Sequence, residues 1–104
     1  MFRVLLKDDF PKWEWYGDVC VTMLFIHLIL TAEEDGRQWR GNAIGCGELV
    51  STPARLASAT GLSEKNVRTA VRKLVATGYI TTRRIQGYTV YTITNHDEYG
   101  RWMG

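Results

Sequence analysis

The sequence predicts an α+β fold, mainly helical, with a small antiparallel sheet. Three observations carry this. Residues 53–77 hold two segments of helical character separated by Gly61-Leu62-Ser63. A strongly apolar segment, Val19 to Leu30, comes before them. After them, Tyr79 to Arg84 and Tyr88 to Thr94 are rich in Tyr, Thr, Ile and Val, with Ile85-Gln86-Gly87 between them as a hairpin turn. Helix, tight turn, helix and hairpin in that order make a winged helix-turn-helix, whose sheet is the wing hairpin plus one short strand. At 104 residues the chain is expected to form one domain. It divides into an N-terminal arm (1–17), the winged helix (18–99) and a tail (100–104).

Taken in order, Met1 to Lys12 mixes apolar and charged residues and is compatible with a short strand or an extended arm. Trp13, Trp15 and Tyr16 cluster around Glu14 without interleaved basic groups, so they are expected to cover the open end of a small core rather than to stack on bases. Asp18 is a candidate N-cap for Val19 to Leu30. That segment is apolar on nearly every side and should be a central, buried helix ending near Ala32. It is too short for a bilayer, which takes roughly 20 apolar residues, and it contains His27. His27 has no second ligand at helical spacing and reads as a core or boundary histidine. Gly36 to Gly47, with four glycines, is expected to be loop. It lacks the Lys and Ser/Thr of a phosphate loop. Glu48-Leu49-Val50-Ser51 reads as the short strand that joins the wing hairpin.

In the helix-turn-helix, Ser51 and Thr52 are candidate caps and Pro53 suits the first helical position, where its missing N–H costs least. Gly61 turns the chain, Leu62 plugs the angle between helices and Ser63 caps the second helix, Glu64 to about Thr77. Val67, Ala70, Val71, Leu74 and Val75 recur at helical spacing as its inner stripe. Gly78 is its stop.

Charge is unevenly spread. Residues 53–86 hold seven basic groups against Glu64 alone, a balance of +6, whereas residues 1–52 carry five basic and eight acidic groups, a balance of −3. Such clustering is the footprint of a polyanionic partner. On helix-turn-helix geometry the first turns of the second helix meet base edges. The candidate DNA-binding residues are therefore Ser63, Lys65, Asn66 and Thr69 at bases or the nearest phosphates, with Asn66 suited to adenine and Lys65 to guanine. Arg72 and Lys73 would reach phosphates, and Arg83 and Arg84 on the wing a neighbouring groove or the backbone. Arg68, close to the apolar stripe, belongs to the same set and is also a candidate partner for Glu48 or Glu64. If about four to six of these groups neutralise phosphates, log K falls against log salt with a slope near −4 to −5. A single module of this size binds weakly, so tight specific binding is expected to need a homodimer or an additional domain.

Cys20 and Cys46 form neither a metal motif nor a disulfide framework. The sequence offers no paired carboxylates in a recognisable arrangement, no metal cluster and no nucleophile elbow, so the expectation is a non-enzyme with no cofactor and no metal. Asp8 and Asp9 and the lack of an early apolar run argue against a signal peptide, so the expected location is cytoplasmic, away from membranes.

Trp39-Arg-Gly41, Gly47-Glu-Leu-Val-Ser51, Leu56-Ala57, Thr60-Gly-Leu-Ser63, Val67-Arg68, Ala70, Leu74, Gly78-Tyr-Ile80, Tyr91-Thr-Ile93-Thr-Asn95 and Tyr99 together resemble the N-terminal winged-helix domain of phage and plasmid replication initiation proteins and DnaD-like primosomal proteins. The resemblance covers roughly residues 18–99. It implies double-stranded DNA as partner, self-association, and replication proteins such as a helicase or helicase loader. The Gly-Leu-Ser to Leu74 portion is shared with GntR-type transcriptional regulators, so transcriptional control by the same surface is the second expectation. A protein-interaction or oligomerisation module that does not read DNA is the third.

Overall fold

A computed structural model describes residues 10–94. A 3-10 turn at Phe10–Lys12 leads into helix α1 (Val19–Thr31). Strands β1 (Arg37–Trp39), β2 (Asn42–Ile44) and β3 (Glu48–Ser51) follow, then helices α2 (Pro53–Thr60) and α3 (Glu64–Ala76), then strands β4 (Ile80–Ile85) and β5 (Tyr88–Ile93). β3, β5 and β4 form one antiparallel sheet in that order, and β1 and β2 form a separate hairpin. This is a winged helix-turn-helix. The proposed arm residues 1–9, and Asn95, Tyr99 and the tail, lie outside the described residues.

Local chemistry explains each boundary. Asp18 caps α1 by accepting from the Val21 N–H at 3.1 Å. Thr52, not Ser51, caps α2, accepting from Arg55 N at 3.1 Å, because Ser51 is the buried last residue of β3. Gly61 takes φ 79°, a left-handed turn in which a Cβ would be strained, and Ser63 then caps α3 by accepting from Asn66 N. α3 ends when Gly78 N bonds Val75 O and Tyr79 N bonds Leu74 O, the paired closing bonds of a Schellman turn.

The core is built from one face of each helix. α1 supplies Val21, Leu24, Phe25, Leu28 and Ile29, α2 supplies Leu56, and α3 supplies Val67, Ala70 and Leu74. Ile80, Tyr91 and Ile93 close it from the sheet. Trp13 packs tilted on Phe25 at 4.9 Å and edge to face with Tyr79 at 5.2 Å, while Trp15 donates Nε1–H to Thr77 Oγ1 at 3.1 Å. Both rings are half-buried against the core, and Lys73 Nζ lies 5.6 Å from the Trp15 ring. Tyr79 donates its hydroxyl to Glu14.

Three expectations are corrected. α1 is not buried all round: Val19, Leu30 and Met23 are 76%, 59% and 39% exposed. Its composition is apolar on every face, but α2, α3, β5 and the Trp13 ring pack against one side of it, so part of that surface stays in solvent. Val75 is 40% exposed, because at about 100° per residue it falls well away from the Val67–Ala70–Leu74 direction. The stretch Gly36 to Gly47 is not a plain loop, since it contains the β1–β2 hairpin with Arg37 opposite Ile44 and Trp39 opposite Asn42. Its turn is Arg40-Gly41, with φ 48° and 81°, and the wing turn Gln86-Gly87 has φ 47° and 81°. Both are two-residue turns with positive φ at each central residue, the type I′ geometry that matches strand twist. Arg40 and Gln86 are uncommon at such positions, and that concealed the first hairpin.

Lys73 Nζ donates to Asp18 Oδ2 at 2.8 Å, joining α3 to the start of α1. The Lys73 bond, then the Val21 N–H, hold the Asp18 carboxyl below its usual range. A carboxyl with a lowered folded value stabilises the fold fully above its unfolded value, and the contribution is lost as pH falls through the folded value. Asp18→Ala is expected to cost about 1–2 kcal/mol, mostly the cap with a smaller share from the partly exposed ion pair. Urea unfolding should show the deficit at neutral pH and its disappearance under acid conditions below the ordinary carboxylate range.

Candidate nucleic-acid interface

Helical phase sorts the predicted residues of α3 into three sets. With the core direction set by Val67, Ala70 and Leu74, the opposite direction falls on Lys65, Thr69 and Arg72. Lys65 and Arg72 are exposed and have no acidic partner among the described residues. Arg68 sits on the flank that faces the sheet, and Asn66 and Lys73 on the flank that faces α1. Ser63 stands at the helix start, where its oxygen is occupied by the Asn66 N–H at 3.0 Å.

The ion pairs refine this further. Arg68 pairs with Glu64 at 3.0 Å, one helical turn away. Glu48 pairs with Arg83 at 3.3 Å instead. Burial pushes the Glu48 carboxyl up, but the Gly45 N–H, the Thr92 hydroxyl and Arg83 together hold it below its ordinary value. Arg83 and Arg84 are neighbours in an extended strand and therefore point to opposite faces of the sheet. Arg84, opposite Thr89, looks toward the helices. Arg83, opposite Val90, looks away. The structure thus brings Lys65, Thr69, Arg72, Arg68 and Arg84 onto connected surfaces, and turns Lys73 and Arg83 toward acidic partners elsewhere.

Two basic residues that the sequence reading did not single out extend this surface. Arg40, at the tip of the first hairpin, lies 4.8 Å from the Trp39 ring and 5.0 Å from the Tyr88 ring. Trp39 and Tyr88 meet edge to face at 5.0 Å. Arg55, in the first turn of α2, lies 5.2 Å from the same Tyr88 ring and donates to its hydroxyl at 3.4 Å. Gln86, at the wing tip, donates Nε2–H to the Arg40 carbonyl at 3.2 Å. The two hairpins therefore stand together, their tips joined by one hydrogen bond and an aromatic–guanidinium stack. A recognisable signal would have been Trp39 and Tyr88 read as a cross-hairpin pair, but no spacing rule links residues 49 positions apart.

Among the described residues no group of His, Cys, Asp and Glu could hold a metal ion, and no helix is long and apolar enough to cross a membrane. His27 is half-buried, and burial lowers its pKa. Cys20 is a half-buried thiol.

Comparisons with known proteins bear on this geometry. Residues 51–81, which span the end of β3, both helices of the helix-turn-helix and the start of β4, match the family model described as winged helix-turn-helix DNA-binding. No curated protein matches the chain. Among solved structures it is similar to TubR bound to 24 bp of tubC from Bacillus thuringiensis serovar israelensis pBtoxis, with a TM-score of 0.55 and 19% identity, over 86% of this chain and 83% of that one. Neither match is to a replication initiation or DnaD-like protein. At this identity the structural likeness is one of fold, and together with the family model it establishes the winged helix-turn-helix, with α3 in the place of the second helix and β4–β5 as the wing.

Proposed function

We propose that this protein binds double-stranded DNA, with α3 in the major groove and the wing against the neighbouring backbone. The observation that carries the reading is the outward face of α3. Lys65, Thr69 and Arg72 point away from the core, without acidic partners among the described residues, beside the Arg84 edge of the wing. A helix in this position presents side chains of the types that reach base edges and phosphates. The DNA-bound state of TubR supports the reading by showing this fold on a duplex.

Within it, Lys65, Asn66, Thr69 and Ser63 serve at the groove, Arg72, Arg68 and Arg84 at phosphates, and Lys73 and Arg83 after exchange of their ion pairs. Control of replication initiation is the role the Trp39-x-Gly41 and Gly47 to Ser51 resemblance supports, with a helicase or helicase loader as protein partner. Transcriptional regulation is the second role, supported by the resemblance of the Gly61 to Leu74 portion to GntR-type regulators, within the residues that match the winged helix-turn-helix DNA-binding model. In either role the proposal is a cytoplasmic, non-enzymatic single domain that acts as a homodimer, because one module makes too few contacts for tight specific binding.

The test is a fluorescence-anisotropy titration of a mixed-sequence duplex at several salt concentrations. The expected result is a slope of log K against log salt near −4 to −5 for one module. A flat or absent response at low salt would overturn the reading and leave the protein-interaction alternative. Sedimentation at the same concentrations reports the dimer.

A further inference from the structure

Arg68 and Arg84 approach one another from different elements. Helix phase directs Arg68 and Val71 toward the sheet, and strand alternation directs Thr82 and Arg84 of β4 with Thr89 and Tyr91 of β5 back toward them. These six side chains line an open cleft of about 200 Å³, and Pro53, the first residue of α2, completes its wall. Among the described residues no acidic side chain lines it.

We propose that this cleft is a phosphate site. Two guanidiniums offer forked N–H donors, the arrangement that holds phosphate oxygens in pairs. Thr82, Thr89 and Tyr91 add hydroxyl donors on the wall between them. Arg84 has no acidic partner among the described residues, and the Arg68–Glu64 pair is solvated, with side chains 61% and 50% exposed. A pair that exposed is held by little net energy, so exchanging Glu64 for a phosphate costs little. At about 30 Å³ per water the cleft holds on the order of six waters, room for a phosphate group with a few of them. Tyr91 registers the convergence: burial raises its pKa, and the Thr89 hydroxyl and the charges of Arg68 and Arg84 act against that rise.

The occupant follows from the position of the cleft, between the helix and the wing that the proposed function lays on DNA. On that reading, which this inference deepens, the cleft seats one backbone phosphate and fixes the angle between α3 and the duplex. A free phosphate ester has the same chemistry and is the other possible source.

Two measurements test it, each on wild type, Arg84→Gln and Thr82→Val. Both positions are exposed, so the variants are expected to fold. In the first, inorganic phosphate is titrated against chloride at constant ionic strength while the amide resonances of residues 82, 84, 89 and 91 are followed. In the second, duplex affinity is measured against salt. The expected result is saturable phosphate shifts at those four residues that Arg84→Gln abolishes. Duplex affinity of Arg84→Gln should fall about tenfold, with the salt slope shallower by about one. Phosphate shifts with unchanged duplex affinity would uphold the cleft and assign it to a free phosphate ester. Normal duplex binding by wild type, with no phosphate shift and no change in either variant, would overturn the cleft and leave the proposed function standing. If wild type binds no duplex, the proposed function falls and the phosphate titration alone decides the cleft.

Discussion

Lys65→Glu/Arg72→Glu is expected to lose duplex binding by at least about a hundredfold at moderate salt while keeping its fold. The two residues lie seven positions apart, nearly two turns, on the same outward face of α3. Each charge-assisted contact to a base or phosphate is worth roughly 1–3 kcal/mol, and the substitution also sets two carboxylates against the phosphate backbone. The salt slope should shrink by about two, one for each cation withdrawn. Folding should hardly respond, because exposed substitutions that leave no buried group unpaired stay within about 0.5 kcal/mol. Anisotropy and thermal unfolding on the same samples separate the two effects. Retained duplex binding would show that α3 is not the reader, and the basic face would then be best explained by an acidic protein partner.

Leu74→Ala carries the largest expected loss of stability. Leu74 is fully buried in the core shared by α1, α2, α3 and the sheet. Removing its isobutyl group forfeits transfer energy and leaves a cavity, together about 2–5 kcal/mol. A domain of this length has about 5–15 kcal/mol in total, so the variant keeps a thin margin. Its melting temperature should drop by roughly 8–40 °C, at about 4–8 °C per kcal/mol. Val75→Ala, one residue along, is the control. Its side chain is 40% exposed, so truncation should shift the midpoint by no more than a few degrees. Equal losses at the two positions would mean that the helix is rotated from the phase described above.

The helix-turn-helix was legible because its information is local. Pro53, Gly61, Ser63 and Gly78 each announce a boundary within a few residues of themselves, and the Val67–Ala70–Leu74 stripe fixes the phase of α3. The wing was legible for the same reason, and Glu48–Ser51 could be added to it by composition. Where the reading failed, the deciding contacts were distant in sequence. Which face of α1 is wet depends on how few elements surround it, and an apolar helix carries no record of that. The hairpin at Arg37–Ile44 is the local exception: its pairing spans eight residues, but Arg40 stands at a turn position where Asn, Asp or Gly is the usual signal. Of the candidate interface, residue types were readable but allegiances were not. Lys73 belongs to Asp18 and Arg83 to Glu48, pairings that cross 55 and 35 positions. Arg40 and Arg55 join through a ring that no pattern associates with them.

The union of the two hairpin tips has a consequence for the thermodynamics of association. A solitary wing is a two-stranded ribbon, and such ribbons sample many shapes until a ligand orders them, at an entropic cost that offsets part of the interaction energy. Here the Gln86 bond to the Arg40 carbonyl and the stack of Arg40 on Trp39 and Tyr88 have already restricted that freedom. The ribbon meets its partner preorganised, so its interactions are converted into affinity with little deducted for ordering the chain.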